Sequence, residues 1–234
     1  MNTTDTAVTA ARLGLETRRG WVYRDVSFTA EAGSVTTLLG STGSGKTAVL
    51  LTLAGRMRPS TGSATVAGLD SVREAAKVRP AVGLGLIGGV NDLDDALTAG
   101  QHVGEALLFR RGRGDTVRSV LSRVGLEHAS ATRVRDLDVE QQERLGVGIG
   151  LIGGPRVLVV DDIDHDLNVE QQERFMALLR SIARSGVAVI AACIDERTAA
   201  LGDAVVTLAG ADAATCVSDT VTAEPAEEAD YAIA

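Results

Sequence analysis

The segment Gly40–Thr47 reads Gly-Ser-Thr-Gly-Ser-Gly-Lys-Thr and fits the pattern G-x-x-x-x-G-K-[ST] at every position. Glycines in such a segment let successive backbone N–H groups point into one nest around phosphate oxygens, and the following helix adds its positive N-terminal end. Lys46 would place a charge at the β- and γ-phosphates, and the Thr47 hydroxyl is a candidate Mg²⁺ ligand. The sequence therefore predicts nucleotide binding by Gly40, Ser41, Thr42, Gly43, Ser44, Gly45, Lys46 and Thr47.

A second candidate site follows an apolar run further along the chain. Residues 157–160 read Val-Leu-Val-Val and are followed by Asp161 and Asp162. A buried parallel strand delivers its last residues to the carboxyl edge of the sheet, where α/β folds bind ligands. Asp161 is then placed to hold Mg²⁺ through water. The alternative is an acidic loop at residues 161–166 that only leads into the next helix.

The pattern of apolar residues predicts an α/β fold in which strands and helices alternate in the C-terminal half, as in a parallel sheet covered by helices. Residues 1–10 are expected to be a flexible lead-in, and the acidic tail at 218–234 is expected to be disordered. The predicted strands are 11–17, 22–29, 34–39, 63–67, 81–87, 156–161, 187–193 and 204–208. The predicted helices are 45–56, 98–152 with a break at the Arg110–Gly114 turn, 169–184 and 195–201.

Composition excludes several classes of function. The 234 residues carry a net charge of −8, which argues against binding to nucleic acid or directly to anionic lipid. No apolar run approaches the roughly 18 residues of a membrane span, so we expect no direct membrane insertion. The two cysteines, Cys193 and Cys216, are too few for a disulfide scaffold, and a cytoplasmic location is expected.

One hexapeptide occurs twice. Val139–Arg144 and Val169–Arg174 both read Val-Glu-Gln-Gln-Glu-Arg, 30 residues apart. Asp138 and Asn168 precede them, each with a glutamine three positions later, which predicts two capping boxes that open two helices. Nothing else recurs at this period, which argues against a solenoid repeat.

From Leu137 to Asp162 the chain resembles the ATP-binding subunits of ABC transporters, with Gly153-Gly154-Pro155 in the place of their G-x-P. Val26–Phe28, Gly33 and Gly62 also match, and the resemblance covers residues 11–210. It implies a P-loop NTPase domain over 11–217, with a RecA-like core and mostly parallel sheet. A helical subdomain would be inserted at about 90–153, and an antiparallel β part would lie near the N-terminus.

The resemblance also implies a cofactor and partners. ATP and Mg²⁺ are the expected ligands, and the expected partners are a membrane-spanning transporter subunit and a second ATP-binding subunit, of the same or a different kind. The chain would then be cytoplasmic and attached peripherally to the membrane through its partner. Trp21 lies near the place of the adenine-stacking aromatic, and an ordinary half-buried strand aromatic is the alternative.

Several motifs depart from the family pattern. Where LSGGQ is expected the chain reads Leu-Asp-Val-Glu-Gln, so Asp138 and Glu140 would bring carboxylates toward the γ-phosphate held by the opposite subunit. At a dielectric near 20 and about 4 Å, each such pair costs on the order of 4 kcal/mol before screening. Asp162 occupies the catalytic-glutamate position and is a weak general-base candidate, and Lys46 is the other candidate catalytic residue. Ile194 occupies the switch-histidine position.

Two further positions differ. Ile87 or Gly88 stands where a glutamine is usual, and residues 165–168 replace the usual D-loop. The resemblance therefore implies an ATP-binding transporter subunit with weak or absent hydrolysis. The alternatives are an ATP-sensing regulatory protein on the same fold and an unrelated P-loop enzyme such as a kinase or GTPase. A GTPase would carry an N-K-x-D guanine reader, which this sequence lacks.

Overall fold

The computed structural model describes residues 5–109 and 114–210, which form two sheets and the helices that cover them. The strands are β1 (Thr6–Thr17), β2 (Gly20–Glu31), β3 (Val35–Leu39), β4 (Thr61–Val66), β5 (Leu69–Asp70), β6 (Val82–Leu84), β7 (Val157–Val160), β8 (Ala188–Cys193) and β9 (Ala204–Thr207). The helices are α1 (Lys46–Leu53), α2 (Ala75–Ala81), α3 (Ala99–Phe109), α4 (Val117–Arg123), α5 (Val139–Gly150), α6 (Val169–Arg184) and α7 (Glu196–Ala199).

A five-stranded parallel sheet, in the order β6-β7-β8-β3-β9, forms the centre of the fold. The neighbouring strands β6, β7 and β8 are buried on both faces, because alternate side chains enter two different cores. In β7, Val157 and Val159 face the core shared with α1 and the antiparallel sheet, whereas Leu158 and Val160 face the core shared with α5 and α6. This arrangement confirms the predicted α/β class.

The second sheet is antiparallel, in the order β2-β1-β4-β5, as predicted for the N-terminal part. The expectation that residues 1–10 form a flexible lead-in is wrong from Thr6 onward, because β1 begins there. Val8 pairs with Ala30 of β2 and with Val66 of β4, and its side chain is fully buried. The small residues before position 11 gave no strand signal, and pairing on both sides of β1 stabilises them.

The helices α3, α4 and α5 all lie within the predicted helical segment at 90–153. Helix α5 packs closely on β6, since a Cβ at Gly150 would lie 2.4 Å from the carbonyl oxygen of Leu84. The predicted turn at Arg110–Gly114 falls largely, and the predicted tail at 218–234 entirely, outside the described residues. Strand β5 and helix α2 were not predicted, and the predicted strand at 81–87 is limited to Val82–Leu84.

The close approach of β4 to β1 predicts an unequal cost for two glycine substitutions. Gly62 has φ +75°, and a Cβ there would lie 2.1 Å from the carbonyl oxygen of Arg12, whereas Gly68 has φ +79° and open space around it. Gly68→Ala should therefore cost about 1–2 kcal/mol from its backbone conformation alone. Gly62→Ala should cost about 3 kcal/mol or more, because the clash adds to the same strain. Urea unfolding measures both, and equal costs would contradict the close approach.

Candidate nucleotide site

The predicted phosphate loop connects β3 to α1 at the carboxyl edge of the parallel sheet. The N–H of Gly40 donates to the carbonyl oxygen of Cys193 at 3.2 Å, which fixes the start of the loop to the end of β8. Gly45 has φ +90°, and a Cβ there would lie 2.5 Å from the carbonyl oxygen of Val22. Glycine is therefore required at this position both by the backbone conformation and by the contact with β2.

Lys46 lies inside the loop rather than in solvent. Its side chain is buried, and Nζ donates to the carbonyl oxygens of Gly40 at 2.8 Å and Ser41 at 3.2 Å. The buried hydroxyl of Ser44 has no hydrogen-bond partner among the described residues. The ammonium group is thus held within the loop by two carbonyl groups, and it supplies the positive charge that a phosphate group requires.

Thr47 and Asp161 meet across the sheet edge. The Thr47 hydroxyl donates to Oδ2 of Asp161 at 2.5 Å, and the aspartate is buried. Burial raises the pKa of Asp161, and the nearby charge of Asp162 raises it further, while the Thr47 hydroxyl and Lys46 oppose the shift. Two oxygen donors in contact, one of them a carboxylate that a cation would stabilise, fit the ligands that Mg²⁺ prefers.

Asp162 has a different environment from its neighbour. Its side chain is exposed, and its backbone adopts the left-handed conformation with φ +43°. The two aspartates line one cavity of about 310 Å³ beside the phosphate loop. The complete lining is Leu86, Gly88, Asp92, Leu93, Gln142, Glu143, Asp161, Asp162 and His165. Asp162 therefore faces a space in which a water molecule could be held.

Glu143 of α5 is a site residue that sequence reasoning missed. Its Oε2 atom is buried without a hydrogen-bond partner among the described residues. Burial, followed by the charges of Asp162 and Asp161, raises its pKa to about 8. Helical spacing places Glu143 on the inner face of α5, but only the packing of α5 against the end of β7 brings it to the aspartates.

The predicted orientation of Glu140 is wrong. Its side chain is only 8% exposed and forms ion pairs with Arg144 at 2.6 Å and Arg174 at 2.7 Å. Its carboxylate is therefore neutralised within the chain, and the repulsion expected from an unpaired carboxylate does not apply to it. Asp138 remains at the surface as the helix cap, where its Oδ1 accepts a hydrogen bond from the N–H of Gln141 at 2.8 Å.

Trp21 lines a pocket on the antiparallel sheet. This pocket, of about 610 Å³, is lined by residues of β1, β2 and β4 and by none from Gly40–Thr47. The guanidinium of Arg24 lies 5.4 Å from the centroid of the indole ring, and the ring edge packs against Gly14. These contacts explain the half-buried position of Trp21, and its role in adenine binding stays a prediction.

The remaining departures from the family motifs occupy the same edge. Ile194 is 45% exposed, and its backbone N–H donates to Oδ2 of Asp164 at 2.7 Å, so a hydrocarbon side chain projects where a histidine was expected. Ile87 is buried, whereas Gly88 lines the cavity. Neither Ile194 nor Gly88 offers a side-chain donor to a phosphate group.

The raised pKa of Glu143 predicts a pH-dependent stability difference. The carboxyl titrates near 4.5 in the unfolded chain and at about 8 in the folded chain. Between these values the folded state binds more protons, so the free energy of unfolding falls as pH rises. Without Mg²⁺, the free energy of unfolding of Glu143→Gln, relative to that of wild type, should therefore increase by at least about 1 kcal/mol between pH 5 and pH 8.

The repeated hexapeptide supplies the control for this prediction. Glu173 occupies the corresponding position of the second copy and is exposed. The difference in the free energy of unfolding between Glu173→Gln and wild type should stay within about 0.5 kcal/mol over the same pH range. Urea unfolding at each pH measures both variants, and a constant difference for Glu143→Gln would contradict its burial beside the two aspartates.

No helix in residues 5–109 and 114–210 has the length and apolar character needed to cross a membrane. Among solved structures, cbiO1 from Clostridium perfringens, part of the ABC transporter complex cbiONQ, aligns with a TM-score of 0.76 and 23% identity over 87% of this chain and 85% of that one. The dimeric ATP-binding cassette MJ0796 in a post-hydrolysis state with ADP and Pi aligns with a TM-score of 0.73 and 21% identity, over 86% and 94% of the two chains. These likenesses confirm the P-loop NTPase fold.

Two similar proteins are described as ATP-binding proteins, one of them of an ABC transporter. A putative ABC transporter ATP-binding protein of Streptomyces avermitilis is 32% identical over 221 residues, 92% of this chain and 38% of that protein. The doxorubicin resistance ATP-binding protein DrrA of Mycobacterium tuberculosis is 30% identical over 173 residues, 71% of this chain and 51% of that protein. The chain thus spans about half the length, or less, of these curated relatives. The family model described as ABC transporter matches residues 23–164, which is more than half of the chain, and the chain therefore belongs to the ABC transporter family.

Proposed function

We propose that this chain is the ATP-binding subunit of an ABC-type transporter, which binds Mg-ATP through Gly40–Thr47 and hydrolyses it weakly or not at all. The observation that carries the proposal is the complete phosphate loop with Thr47 in contact with Asp161 at the carboxyl edge of the sheet. Family membership supports the same conclusion.

In the proposed complex, different groups of the site contact the phosphates and the Mg²⁺ ion. Backbone N–H groups of the loop and the N-terminal end of α1 face the phosphates, and Lys46 adds a positive charge that its two carbonyl contacts already hold in place. Thr47 and Asp161 would hold Mg²⁺, which when bound offsets phosphate charge. Binding therefore needs little rearrangement of these side chains.

Weak hydrolysis follows from the residues around the cavity. Asp162 is the only carboxylate of the pair free to orient a water molecule, and it is one methylene shorter than the usual glutamate. A misplacement of about 1 Å can cost roughly 100-fold in rate. Ile194 and Gly88 add no hydrogen-bond donor that could stabilise a γ-phosphate in the transition state.

The partners follow from the same family. A membrane-spanning subunit and a second ATP-binding subunit would place this chain on the cytoplasmic face of a membrane, attached through its partner. The description of cbiO1 as part of a transporter complex and the dimer of MJ0796 support this assembly. Affinity purification of the tagged chain in mild detergent tests it, and a soluble partner in place of a membrane protein would favour the ATP-sensing alternative.

Removal of the loop charge should abolish binding. Lys46→Ala leaves the phosphates with backbone dipoles alone, so we expect the affinity for Mg-ATP to fall at least about 100-fold, the effect of losing roughly 2.7 kcal/mol. Titration with a fluorescent ATP analogue measures the affinity of both proteins. Lys77→Ala, which removes the other, exposed lysine, is the control. Equal affinity of wild type and Lys46→Ala would show that this loop is not the site.

Restoring the missing methylene should raise the rate of hydrolysis. Wild type should release phosphate slowly, and Asp162→Glu should accelerate the release by up to about 100-fold, because the carboxylate then reaches further into the cavity. Asp162→Asn, of the same size but without a charge, is the control and should not accelerate it. Steady-state phosphate release is the measurement. Rapid turnover by wild type, unchanged in Asp162→Glu, would contradict the role assigned to this position.

A further inference from the structure

The repeated hexapeptide builds two helix starts in the same way. Asp138 and Asn168 each accept a hydrogen bond from the backbone N–H three residues later, and both capping boxes are complete. Gln142 and Gln172 each donate to the carbonyl oxygen five residues before them, at 3.1 and 2.9 Å. The repeat is thus a device for opening a helix, as the sequence predicted.

The two copies differ in what surrounds their first glutamate. Glu140 in α5 is 8% exposed, whereas its counterpart Glu170 in α6 is 82% exposed. Both bind the same arginine: Arg174 donates through Nη2 to Glu140 at 2.7 Å and through Nη1 to Glu170 at 2.8 Å. A second donor, Nε of Arg174, lies 3.2 Å from Oε2 of Glu140. The first copy is therefore bound to the second through a two-point ion pair in which Glu140 is buried and Arg174 is half-exposed.

This ion pair joins α5, which lines the cavity, to α6, which follows the two aspartates of the cavity along the chain. Helix α5 contributes Gln142 and Glu143 to one wall, within one turn of Glu140. Asp161 and Asp162, directly after β7, also line the cavity, and α6 begins a few residues later at Val169. The ion pair therefore links the α5 residues of the cavity, through α6, to the segment that carries the two aspartates.

We propose that Glu140 is a positioning residue of the nucleotide site, which acts through Arg174 to hold the α5 wall of the cavity against Asp161 and Asp162. The proposal rests on the function proposed above and extends it to the family's signature position. In this chain that position fastens the helix to the core instead of offering a carboxylate to a partner's phosphate. Burial would raise the pKa of Glu140, and the hydrogen bonds from Arg174 and Arg144 outweigh it, so the pair stays charged.

The test compares the two glutamates of the repeat in the full chain. Glu140→Gln and Arg174→Gln remove the pair from either side, and Arg174→Lys keeps the charge but loses the two-point contact. Glu170→Gln is the matched control, because it removes the exposed partner of the same arginine. Affinity for a fluorescent ATP analogue is measured in EDTA and in excess Mg²⁺, together with the thermal midpoint of unfolding.

The expected result is a loss confined to the Mg²⁺-dependent part of the affinity. The gain from Mg²⁺ is the ratio of the ATP affinity in excess Mg²⁺ to the affinity in EDTA. Glu140→Gln and Arg174→Gln should reduce this ratio by about 10-fold, the usual effect of disturbing residues that support metal ligands. They should leave the affinity in EDTA unchanged. Arg174→Lys should restore part of the gain, and Glu170→Gln should match wild type. Arg174 is half-exposed, so its variants decide the question if Glu140→Gln fails to fold.

Two results would overturn the proposal. The first is a gain from Mg²⁺ in Glu140→Gln and Arg174→Gln equal to that of Glu170→Gln, even with a lower thermal midpoint, because the pair would then be structural only. The second is a wild-type protein that binds ATP equally with and without Mg²⁺. A wild type that binds no ATP in either condition contradicts the proposed function itself, and this is seen before any variant is compared.

Discussion

The hydrogen bond between Thr47 and Asp161 is the contact on which the site depends. It joins α1, the helix that follows β3, to the residue that follows β7. In the parallel sheet, β3 and β7 are separated by β8. Both the aspartate and the neighbouring Lys46 are buried, and unpaired charges in such places would be costly. The loop carbonyls accept hydrogen bonds from Lys46 and the Thr47 hydroxyl donates one to Asp161, so the protein itself positions both side chains.

Binding and catalysis are therefore supported unequally. Residues 40–47 connect β3 to the start of α1 as expected of a phosphate loop, and the backbone of Gly45 is fixed by its contact with β2. Under the proposed function, the positions that would organise a hydrolytic water carry a shorter or a different side chain than the family pattern, as at Asp162 and Ile194. A site with this imbalance fits a subunit that holds ATP for long periods, whether it acts in a transporter or as a sensor.

The sequence predicted those features that depend on neighbours along the chain. The phosphate loop, the apolar strand before Asp161 and the two capping boxes are local patterns, and the structure shows the expected elements at each. The orientation of Glu140 was mispredicted because its carboxylate pairs both with Arg144 on its own helix and with Arg174, 34 residues later. Glu143 was missed because the two aspartates near it follow β7, a distant part of the chain. Short elements such as β5 are stabilised by pairing with β4 and carry little signal of their own.

Electron paramagnetic resonance of Mn²⁺, used in place of Mg²⁺, tests most directly whether the loop and the end of β7 form one metal–nucleotide site. Wild type with ATP should bind one Mn²⁺ per chain. The signal of free Mn²⁺ should therefore be weaker in the sample with protein and ATP than in a sample with the same ATP and no protein. Asp161→Asn should bind ATP but lose this added retention of Mn²⁺. Equal retention by wild type and Asp161→Asn would contradict a metal site that includes Asp161.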